Sequence, residues 1–362
     1  MKKRILISGA GPAGLSTALQ LDRDMFDIHV VERSDSYNSM GFSIILWKPG
    51  YEVLKKTLGG SVEFSSDIDM MKIWGGNTFT EIHSAHVDNL AFSVQRSKLI
   101  DALATRFEDI IGSESIRFGT YITDIEPSDS VQKVTLSDGS IEHYDLVICA
   151  DGMHSDIRNK HFETTLKSGP YKIIYQWVEP GSNLDKVSIV GFKKDVVYLI
   201  QTTEDKALLA YYIESDKASM QDFEAELKKA IDSAYDGNLV LDRHSRRVFS
   251  GEEVDVSPWY KGGIVLMGDA SHGHPPTLAM GTSMAFEDAA VLANQLNTQP
   301  ISTALQNYTA ERSKRINQVY TSQHIVENMF FSHSAAKTKF SEFVLKAGGK
   351  YIVDHHIRHL VT

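Results

Sequence analysis

Residues 4–14 read RILISGAGPAG, a short apolar run that leads directly into glycines spaced as Gly9-x-Gly11-x-x-Gly14. The residues that follow carry apolar side chains at helical spacing, and DIHVVER at 27–33 reads as a second strand. A strand, a glycine turn, a helix and a strand within about thirty residues form a βαβ unit. The start of the chain therefore predicts an α/β fold with a parallel sheet.

The glycine spacing is typical of dinucleotide-binding turns. Gly9 allows the tight turn, Gly11 lets the backbone approach a pyrophosphate, and Gly14 lets the helix pack closely on the strand. The helix N-terminus adds N–H groups and a positive dipole for the anion. Glu32 ends the second strand, eighteen residues beyond Gly14, where an acid can accept ribose hydroxyls. The pattern alone also occurs in other α/β turns, but in this context it favours nucleotide binding.

Composition narrows the class of protein further. The 362 residues are 42% hydrophobic, which is enough for a packed core, and the single cysteine, Cys149, excludes an internal disulfide. Thirty-seven basic and forty-seven acidic residues give a net charge of −10, which argues against nucleic acid or an anionic membrane as partner. The apolar run at 5–7 is too short for a signal peptide, and no segment has the roughly 18 apolar residues of a membrane span. We expect a soluble, cytoplasmic protein.

The middle of the chain begins with a helix and a hairpin. Ser97 can cap a helix whose apolar residues share one face. Residues 131–152 predict a hairpin that turns at Asp138-Gly139 and leads into a buried strand.

The pattern then changes twice. Residues 171–213 contain short strands rich in Val, Ile and Tyr, and a helix with Phe223, Leu227 and Ile231 on one face follows them. GGIVLMGD at 262–269 returns to a buried strand and a turn, and the rest of the chain is mostly helical. The pattern predicts a dinucleotide-binding domain made of separated segments and interrupted by a β-rich insertion.

A second motif follows the strand that ends near Cys149. Asp151-Gly152 comes first, and Ser155 and Arg158 follow at three-residue spacing. Ser155 can cap a helix, and Arg158 can anchor a carboxylate or a phosphate. An ordinary cap with a surface arginine would give the same pattern.

A third motif, GDASHGHPP at 268–276, can be read in two ways. Asp269, His272 and His274 have the residue types of a metal site. Alternatively, ligands of α/β folds lie beyond the carboxyl ends of strands, where Asp269 can accept sugar hydroxyls and a helix beginning near Gly281 can face an electron-rich ring. No further ligands with clear spacing converge on this loop, so we predict no metal there.

Two other groups of residues have a functional and an ordinary reading. His355, His356 and His359 have helical spacing that suits a metal, but a solvated helix face explains them equally, and we predict no metal. Aromatic residues in and before the β-rich insertion can line a pocket, although most of them belong in a core. These residues are Trp47, Tyr175, Trp177, Tyr198, Tyr211 and Tyr212.

The motifs, in this order, resemble those of the class A flavoprotein monooxygenases, the p-hydroxybenzoate hydroxylase-like family. GAGPAG with Glu32 is similar to the family's site for the adenosine half of FAD, and Gly268-Asp269 is similar to its GD motif, whose aspartate holds the ribityl chain. The stretch from Asp151 resembles the DG motif, which is associated with the pyrophosphates of FAD and NAD(P)H. Arg96 matches the arginine of an Arg-x-x-Leu helix start that contacts the FAD.

The resemblance implies a set of cofactor-binding residues and a domain division. The implied FAD-binding residues are Gly9, Gly11, Ala13, Gly14, Glu32, Arg33, Arg96, Asp151, Asp269, Gly281 and Thr282. The implied fold is a Rossmann-like FAD-binding domain with an inserted mixed β-sheet substrate domain and a C-terminal helical segment. The corresponding ranges are 1–70, 96–170 and 258–320 for FAD, 71–95 and 171–257 for substrate, and 321–362 for the C-terminal helices.

The chain departs from the family pattern after the proline pair. The family continues Pro-x-x-Gly-x-Gly-x-Asn, whereas here Ala279 replaces the first glycine and Ser283 replaces the asparagine. The helix start and the following Glu287-Asp288-Ala289 still fit the family. The departure therefore bears on the position of the flavin more than on its binding.

The resemblance implies a monooxygenase that consumes NADPH or NADH and O2. The expected reaction hydroxylates an aromatic or polyketide-like small molecule through a flavin C4a-hydroperoxide. In its compact length and helical tail the chain resembles the tetracycline-modifying members. Candidate residues on the substrate side are His274, Pro276 and Tyr212. An oxidase or reductase on the same scaffold, or a non-catalytic FAD-binding module, remains the alternative. We expect a monomer or a weak homodimer.

Overall fold

The computed structural model describes residues 1–37, 41–75, 80–128, 130–179, 187–191, 196–201, 206–214 and 240–330, with isolated positions beyond 339. The predicted helix with Phe223, Leu227 and Ile231 lies outside the described residues, as do His355, His356 and His359.

Helices are interspersed among strands along the first half of the described chain, and residues 269–330, after the last strand, are mostly helical. The strands are β1 Lys3–Ser8, β2 Phe26–Val31, β3 Ile44–Trp47, β4 Ser65–Asp67, β5 Met70–Gly75, β6 Thr80–His86, β7 Ala91–Val94, β8 Ile116–Arg117, β9 Ile122–Glu126, β10 Gln132–Leu136, β11 Ile141–Tyr144, β12 Leu146–Cys149, β13 Thr164–Glu179, β14 Val187–Gly191, β15 Val196–Gln201, β16 Ala207–Glu214, β17 Val240–Leu241, β18 Arg247–Val256, β19 Tyr260–Lys261 and β20 Ile264–Leu266. The α-helices are α1 Pro12–Gln20, α2 Lys48–Leu58, α3 Arg96–Ile110, α4 Asp156–His161, α5 Asp269–His272, α6 Gly281–Thr298 and α7 Ile301–Phe330.

A largely parallel sheet forms the centre of the fold, with the strand order β19-β20-β12-β1-β2-β8. β1 pairs in parallel with both β2 and β12, and β12 pairs in parallel with β20. The side chains of β1 from Ile5 to Ile7 and the whole of β12 are buried. Continuous apolar strands of this kind are expected where helices cover both faces of a parallel sheet. The predicted α/β fold with a Rossmann-like sheet is confirmed.

The order of the strands brings the three sequence motifs together. β20, β12 and β1 are neighbours, and their carboxyl ends lead into Gly268, Asp151 and Gly9 respectively. Parallel strands end at the same edge of a sheet, and open α/β folds bind their ligands at that edge.

The β-rich insertion forms a second, mixed sheet with the order β17-β13-β16-β15-β14-β5-β6, and β18 also pairs with β13. Its antiparallel register places Tyr175 of β13 opposite Ala210, which in turn lies opposite Tyr198 of β15. Because side chains alternate along a strand, Leu208, Ala210 and Tyr212 project to one face of this sheet. That face borders the cavity described below.

The domain ranges inferred from the sequence remain a prediction. β5 and β6 belong to the second sheet, whereas β7 pairs with β3 and β4 in a small antiparallel sheet. β13 begins at Thr164 and runs without interruption past residue 170, where the sequence pattern placed a boundary.

Two local predictions had different outcomes. The hairpin at Asp138-Gly139 is confirmed, since β10 and β11 pair around it in antiparallel register. The prediction that Ser97 caps a helix is wrong: α3 begins at Arg96, its N-cap is Gln95, and no side chain caps it. Ser97 therefore lies inside the first turn. Of the helices in the described ranges, none is both long and apolar enough to cross a membrane.

Candidate active site

A cavity of about 600 Å³ lies between the carboxyl edge of the parallel sheet and the face of the second sheet. Most of the residues that the sequence singles out line it: Gly9, Gly11, Ala13, Glu32, Arg96, Asp151, Tyr212, Asp269, His274, Pro276, Gly281 and Thr282. Gly14 and Arg33 do not. Gly14 packs inside the turn, and Arg33 is exposed and forms an ion pair with Asp156 at 2.7 Å.

Of the three glycines in the turn, Gly11 has open space where a side chain would lie, whereas Gly9 and Gly14 do not. A Cβ on Gly14 would lie 2.0 Å from the carbonyl oxygen of Gly9, so the helix could not approach the strand this closely with any other residue. A Cβ on Gly11 would meet no protein atom within 4 Å. Gly11 also has φ −81°, which any residue can adopt. Its missing side chain therefore keeps part of the cavity free next to the first turn of α1.

The first turn of α1 offers backbone donors to that space. Gly11 is the N-cap and has no capping side chain, so N–H groups at the start of the helix have no side-chain partner. Such groups, with the helix dipole, form a binding site for a phosphate. α6 begins in the same way at Gly281, beyond the uncapped Met280, and Gly281 also lines the cavity.

Glu32 is held in place by two backbone amides. Its Oε2 accepts from the N–H of Ala10 at 2.8 Å, and its Oε1 accepts from the N–H of Ser34 at 2.9 Å. A carboxylate has about four lone-pair directions, so Glu32 can still accept two hydroxyl groups from a ligand. This arrangement fits the acid that the sequence predicts for ribose hydroxyls.

In the second motif, Asp151 lies at the cavity and Arg158 has a structural role. Asp151 borders the cavity, its Oδ1 is buried without a partner, and burial raises its pKa above the usual range. Ser155 caps α4 by accepting from the N–H of Arg158 at 3.0 Å. Arg158 is buried and donates to the carbonyls of Met153 and Ala270. It therefore ties two loops together rather than facing a ligand.

The loop that carries Asp269 is fixed by a buried charge network. Gly268 has φ +56°, and its N–H donates to Oδ2 of Asp288 at 2.9 Å. Nε2 of His272 lies 2.6 Å from the same oxygen, and Nε of Arg312 donates to Oδ1 at 2.7 Å. His272 thus ties down the loop and leaves Asp269 at the cavity wall.

The charges around Asp288 decide its protonation state. Burial acts to raise the pKa of Asp288, but the charges of His272 and Arg312 and their hydrogen bonds outweigh it and lower the pKa to about 2. Arg312 also donates to Oε2 of Glu287 at 2.8 Å. The loop is therefore anchored by a carboxylate that stays ionised across the neutral range.

The two departures from the family pattern have structural consequences that can be seen directly. Ala279 adopts a left-handed conformation with φ +52°, which is the conformation that the family's glycine would favour. Oγ of Ser283 accepts from the N–H of Trp47 at 2.9 Å, and the indole Nε1 of Trp47 donates to the carbonyl of Leu278. Trp47 therefore links β3 to Ser283 and to Leu278, the residue before Ala279.

The wall opposite the dinucleotide motifs is apolar and aromatic. Tyr175, Tyr198 and Tyr212 line it together with Ile200 and Leu208. Burial is the main cause that raises the pKa values of these tyrosines, so they are neutral phenols at pH 7.

A loop joins the aromatic wall to the C-terminal helix. The hydroxyl of Tyr198 donates to the carbonyl of Thr277 at 3.1 Å, and Oγ1 of Thr277 donates to Glu327 of α7 at 2.8 Å. Nothing in the sequence indicated that Ile325 and Val326 line the cavity or that Glu327 contacts its loop, because the position of a residue in a long helix gives no sign of what it contacts. Of the remaining aromatic candidates, Trp47 also lines the cavity, whereas the buried Tyr211 and the partly buried Trp177 do not.

The two histidines of GDASHGHPP have hydrogen-bond partners within the protein. His272 is committed to Asp288, and Nδ1 of His274 is committed to a backbone carbonyl. Among the residues that the structure describes, no group of three or more His, Cys, Asp or Glu side chains is arranged to hold a metal ion. Cys149 is buried in β12, where burial raises the pKa of its thiol.

The residues around the cavity fit a flavin dinucleotide. The open space at Gly11, the two uncapped helix starts and the buried unpaired oxygen of Asp151 are features that a large phosphate-containing ligand would satisfy. The fold and the cavity define the class of dinucleotide-binding oxidoreductases.

Comparison with known proteins identifies the family. The family described as FAD binding domain matches residues 2–323. The 6-hydroxynicotinate 3-monooxygenase of Bordetella bronchiseptica is 23% identical, covering 89% of this chain and 91% of its own. Klebsiella pneumoniae HpxO, solved with FAD and uric acid, has the same fold, with a TM-score of 0.83 at 20% identity over 99% of this chain and 96% of its own. The tetracycline destructase Tet(55) has a TM-score of 0.74 at 22% identity over 99% and 97%.

The chain belongs to the FAD binding domain family of flavoprotein monooxygenases. It is an FAD-dependent monooxygenase, and FAD is its cofactor. The resemblance seen in the sequence is confirmed.

Proposed function

We propose that the protein uses NAD(P)H and O2 to hydroxylate a small, electron-rich aromatic or polyketide-like molecule. The observation that carries the proposal is the continuity of one cavity, which has dinucleotide-binding motifs on one wall and three tyrosines on the other. The second, aromatic wall argues against a non-catalytic FAD-binding module, which has no co-substrate to hold, while an oxidase or a reductase on the same scaffold is distinguished by the experiment below.

The residues of the first wall would hold FAD. The backbone at Gly11 and Ala13 would face the pyrophosphate, Glu32 would accept ribose hydroxyls, and Asp269 would accept those of the ribityl chain. The start of α6 at Gly281 would direct its positive end toward the flavin ring. Bound there, FAD would supply the redox chemistry that couples oxidation of NAD(P)H to transfer of one oxygen atom from O2.

The residues of the second wall would position the substrate and keep water out. Buried, neutral tyrosine rings offer apolar faces and edges on which an aromatic ring packs. Charged side chains in the described part of the cavity lining are Glu32, Arg96, Asp151 and Asp269, and all of them lie on the dinucleotide side. This division favours a substrate that is uncharged at its buried end. A dry site also limits the loss of reducing equivalents to hydrogen peroxide.

Names of the relatives agree with this substrate class. One relative is named for 6-hydroxynicotinate, and one structural neighbour was solved with uric acid. Both compounds are nitrogen heteroaromatics that carry oxygen substituents, so a panel of phenols, hydroxypyridines and 4-quinolones is a rational first set.

A pair of glycine variants tests the cofactor half of the proposal. Gly11→Val would fill the open space beside α1, whereas Gly60→Val adds the same side chain at an exposed position that is also free of neighbours within 4 Å. We expect Gly11→Val to reduce FAD affinity at least a hundredfold, because the side chain and the pyrophosphate would compete for one place, and Gly60→Val to bind as the wild type does. Fluorescence titration with FAD measures both.

The catalytic half is tested by mixing FAD-loaded protein with NADPH or NADH under anaerobic conditions. We expect bleaching of the flavin absorbance that a binding member of the panel accelerates. A protein without FAD affinity would contradict the whole proposal. A flavin reduced at the same rate with and without every panel compound would favour the oxidase or reductase alternative.

A further inference from the structure

His274 has one ring nitrogen fixed and the other free. Nδ1 lies 3.0 Å from the carbonyl oxygen of His272, and because a carbonyl only accepts, Nδ1 carries the proton. In a neutral imidazole Nε2 is then a hydrogen-bond acceptor. Nε2 of His274 is buried and has no partner among the described residues. Buried acceptors are rarely left unpaired in native proteins unless a ligand or water completes them.

The ring of His274 lies where the two walls of the cavity meet. Its Cε1, the carbon bonded to Nε2, and Oδ1 of Asp269 are each 3.8 Å from the point that a Cβ on Gly281 would occupy. Three residues later on the same loop, Thr277 accepts from Tyr198 of the aromatic wall. Within the described lining of the cavity, His274 is the one nitrogen base that is not a cation at neutral pH.

The orientation of His274 is set by residues behind it. The carbonyl that accepts from Nδ1 belongs to His272, whose own ring is tied to the buried Asp288 at 2.6 Å. The Tyr320 ring of α7 packs at 5.6 Å from the His274 ring. An imidazole held in one tautomer and one orientation is prepared to receive a proton at a defined point.

We propose that Nε2 of His274 is the base that accepts the hydroxyl proton of the substrate, an inference that rests on the function proposed above. The substrate would be an aromatic or enolic compound whose O–H donates to Nε2. As the new C–O bond forms at the carbon ortho or para to it, the O–O bond of the oxygen donor derived from O2 and NAD(P)H breaks and the second oxygen atom leaves as water. The proton of the substrate O–H passes to Nε2, and its electron pair stays on oxygen as a carbonyl. Loss of the ring hydrogen as a proton restores the aromatic ring, and the imidazolium returns its proton to the oxygen.

The protonation state of His274 is suited to this role. Burial lowers its pKa below the usual 6.5, so the ring is neutral at pH 7. The titratable groups that face it are Asp269 and His272 on its own loop, Glu253 of β18 and Tyr320 of α7. A titration of His274 itself disappears when its ring is replaced, whereas one that belongs to these neighbours persists.

A binding cycle tests the proposal without turnover. The probes are 4-nitrophenol and its methyl ether 4-nitroanisole, bound to the FAD-loaded wild type, to His274→Leu and to His143→Leu, in which an exposed imidazole on β11 is removed as a control. In the wild type and in His143→Leu we expect about tenfold tighter binding of the phenol than of the ether, from one hydrogen bond. In His274→Leu we expect equal binding of both probes, with unchanged FAD affinity.

The pH dependence adds a readout that a purely structural role would not change. The preference for the phenol should hold at pH 6.5 and disappear at lower pH as His274 gains a proton. His274→Gln keeps an oxygen acceptor but has no basic nitrogen, so its preference should survive without that acid transition.

Two results would overturn the proposal. One is an undiminished preference for the phenol in His274→Leu. The other is a tenfold or larger fall in FAD affinity in that variant, which would assign Nε2 to a cofactor hydroxyl. Since these are binding measurements, an enzyme that binds both probes but does not hydroxylate would contradict the proposed function and leave the test of His274 intact.

Discussion

At the scale of single residues, Ala279 adopts a left-handed conformation at a position where the family pattern has glycine. The residue has φ +52° and ψ +34° at the end of the short turn Pro276–Leu278. A left-handed conformation costs an L-residue about 1–2 kcal/mol relative to glycine. Hydrogen bonds from Trp47 to Leu278 and Ser283 hold the segment on both sides, which compensates for this cost.

Ala279→Gly should therefore stabilise the protein. The relief of strain exceeds the extra entropy of glycine in the unfolded chain, about 0.4–1 kcal/mol, and leaves a net gain of about 0.5–1 kcal/mol. Ala310→Gly, in the exposed face of α7, is the matched control and should cost about 1 kcal/mol. Urea unfolding curves measure both. A loss of stability in Ala279→Gly would show that the left-handed backbone carries no strain.

At the scale of elements, α6 and α7 are joined through one arginine to the loop that carries Asp269. Arg312 of α7 donates to Asp288 and Glu287 of α6, and Asp288 in turn accepts from His272 and from the N–H of Gly268. Removing one member of a buried network leaves a buried charge without a partner. The resulting loss in the free energy of unfolding is larger than the net stabilisation that the intact network provides.

Arg312→Met should lower the free energy of unfolding by about 3–5 kcal/mol, because Asp288 would remain buried with one partner fewer. Lys133→Met, which breaks an exposed ion pair with Glu126, should cost less than about 1 kcal/mol. Denaturant titration compares the two. Similar small losses for both variants would contradict the role given to the network.

The same network predicts an acid transition with a definite sign. The pKa of Asp288 falls from 3.8 to about 2 in the folded protein, so its contribution is complete above pH 4 and is lost as pH falls toward 2. In Arg312→Met one of the causes that lower this pKa is missing. The acid-dependent loss of stability should then be smaller than in the wild type and should be complete at a higher pH, which urea unfolding at a series of pH values measures.

At the scale of the whole molecule, the sequence predicts the dinucleotide half far better than the substrate half. Strand, glycine turn and helix are local in sequence, so the spacing of Gly9, Gly11 and Gly14 and the acid at Glu32 could be interpreted directly. The aromatic wall depends on which strands pair across the second sheet, as Tyr175, Ala210 and Tyr198 do. Periodicity gives strands but not their neighbours, so it could not separate Tyr212, which borders the cavity, from Tyr211, which does not.

Contacts made across long separations were likewise hidden. Glu327 reaches the cavity loop through Thr277, fifty residues away, and Trp47 reaches Ser283 across 236 residues. Arg158 has the expected position in its motif, but burial makes it a structural tether. These roles follow from packing that no short pattern encodes.

We propose that one cavity brings FAD, O2 and a substrate together for oxygen transfer. The most direct measurement is a reaction of the FAD-loaded protein with NAD(P)H under ¹⁸O2, using the phenol, hydroxypyridine or 4-quinolone that most accelerates flavin reduction. We expect a hydroxylated product that contains one ¹⁸O atom for each NAD(P)H consumed. Hydrogen peroxide as the sole product, or a product whose new oxygen comes from water, would contradict it.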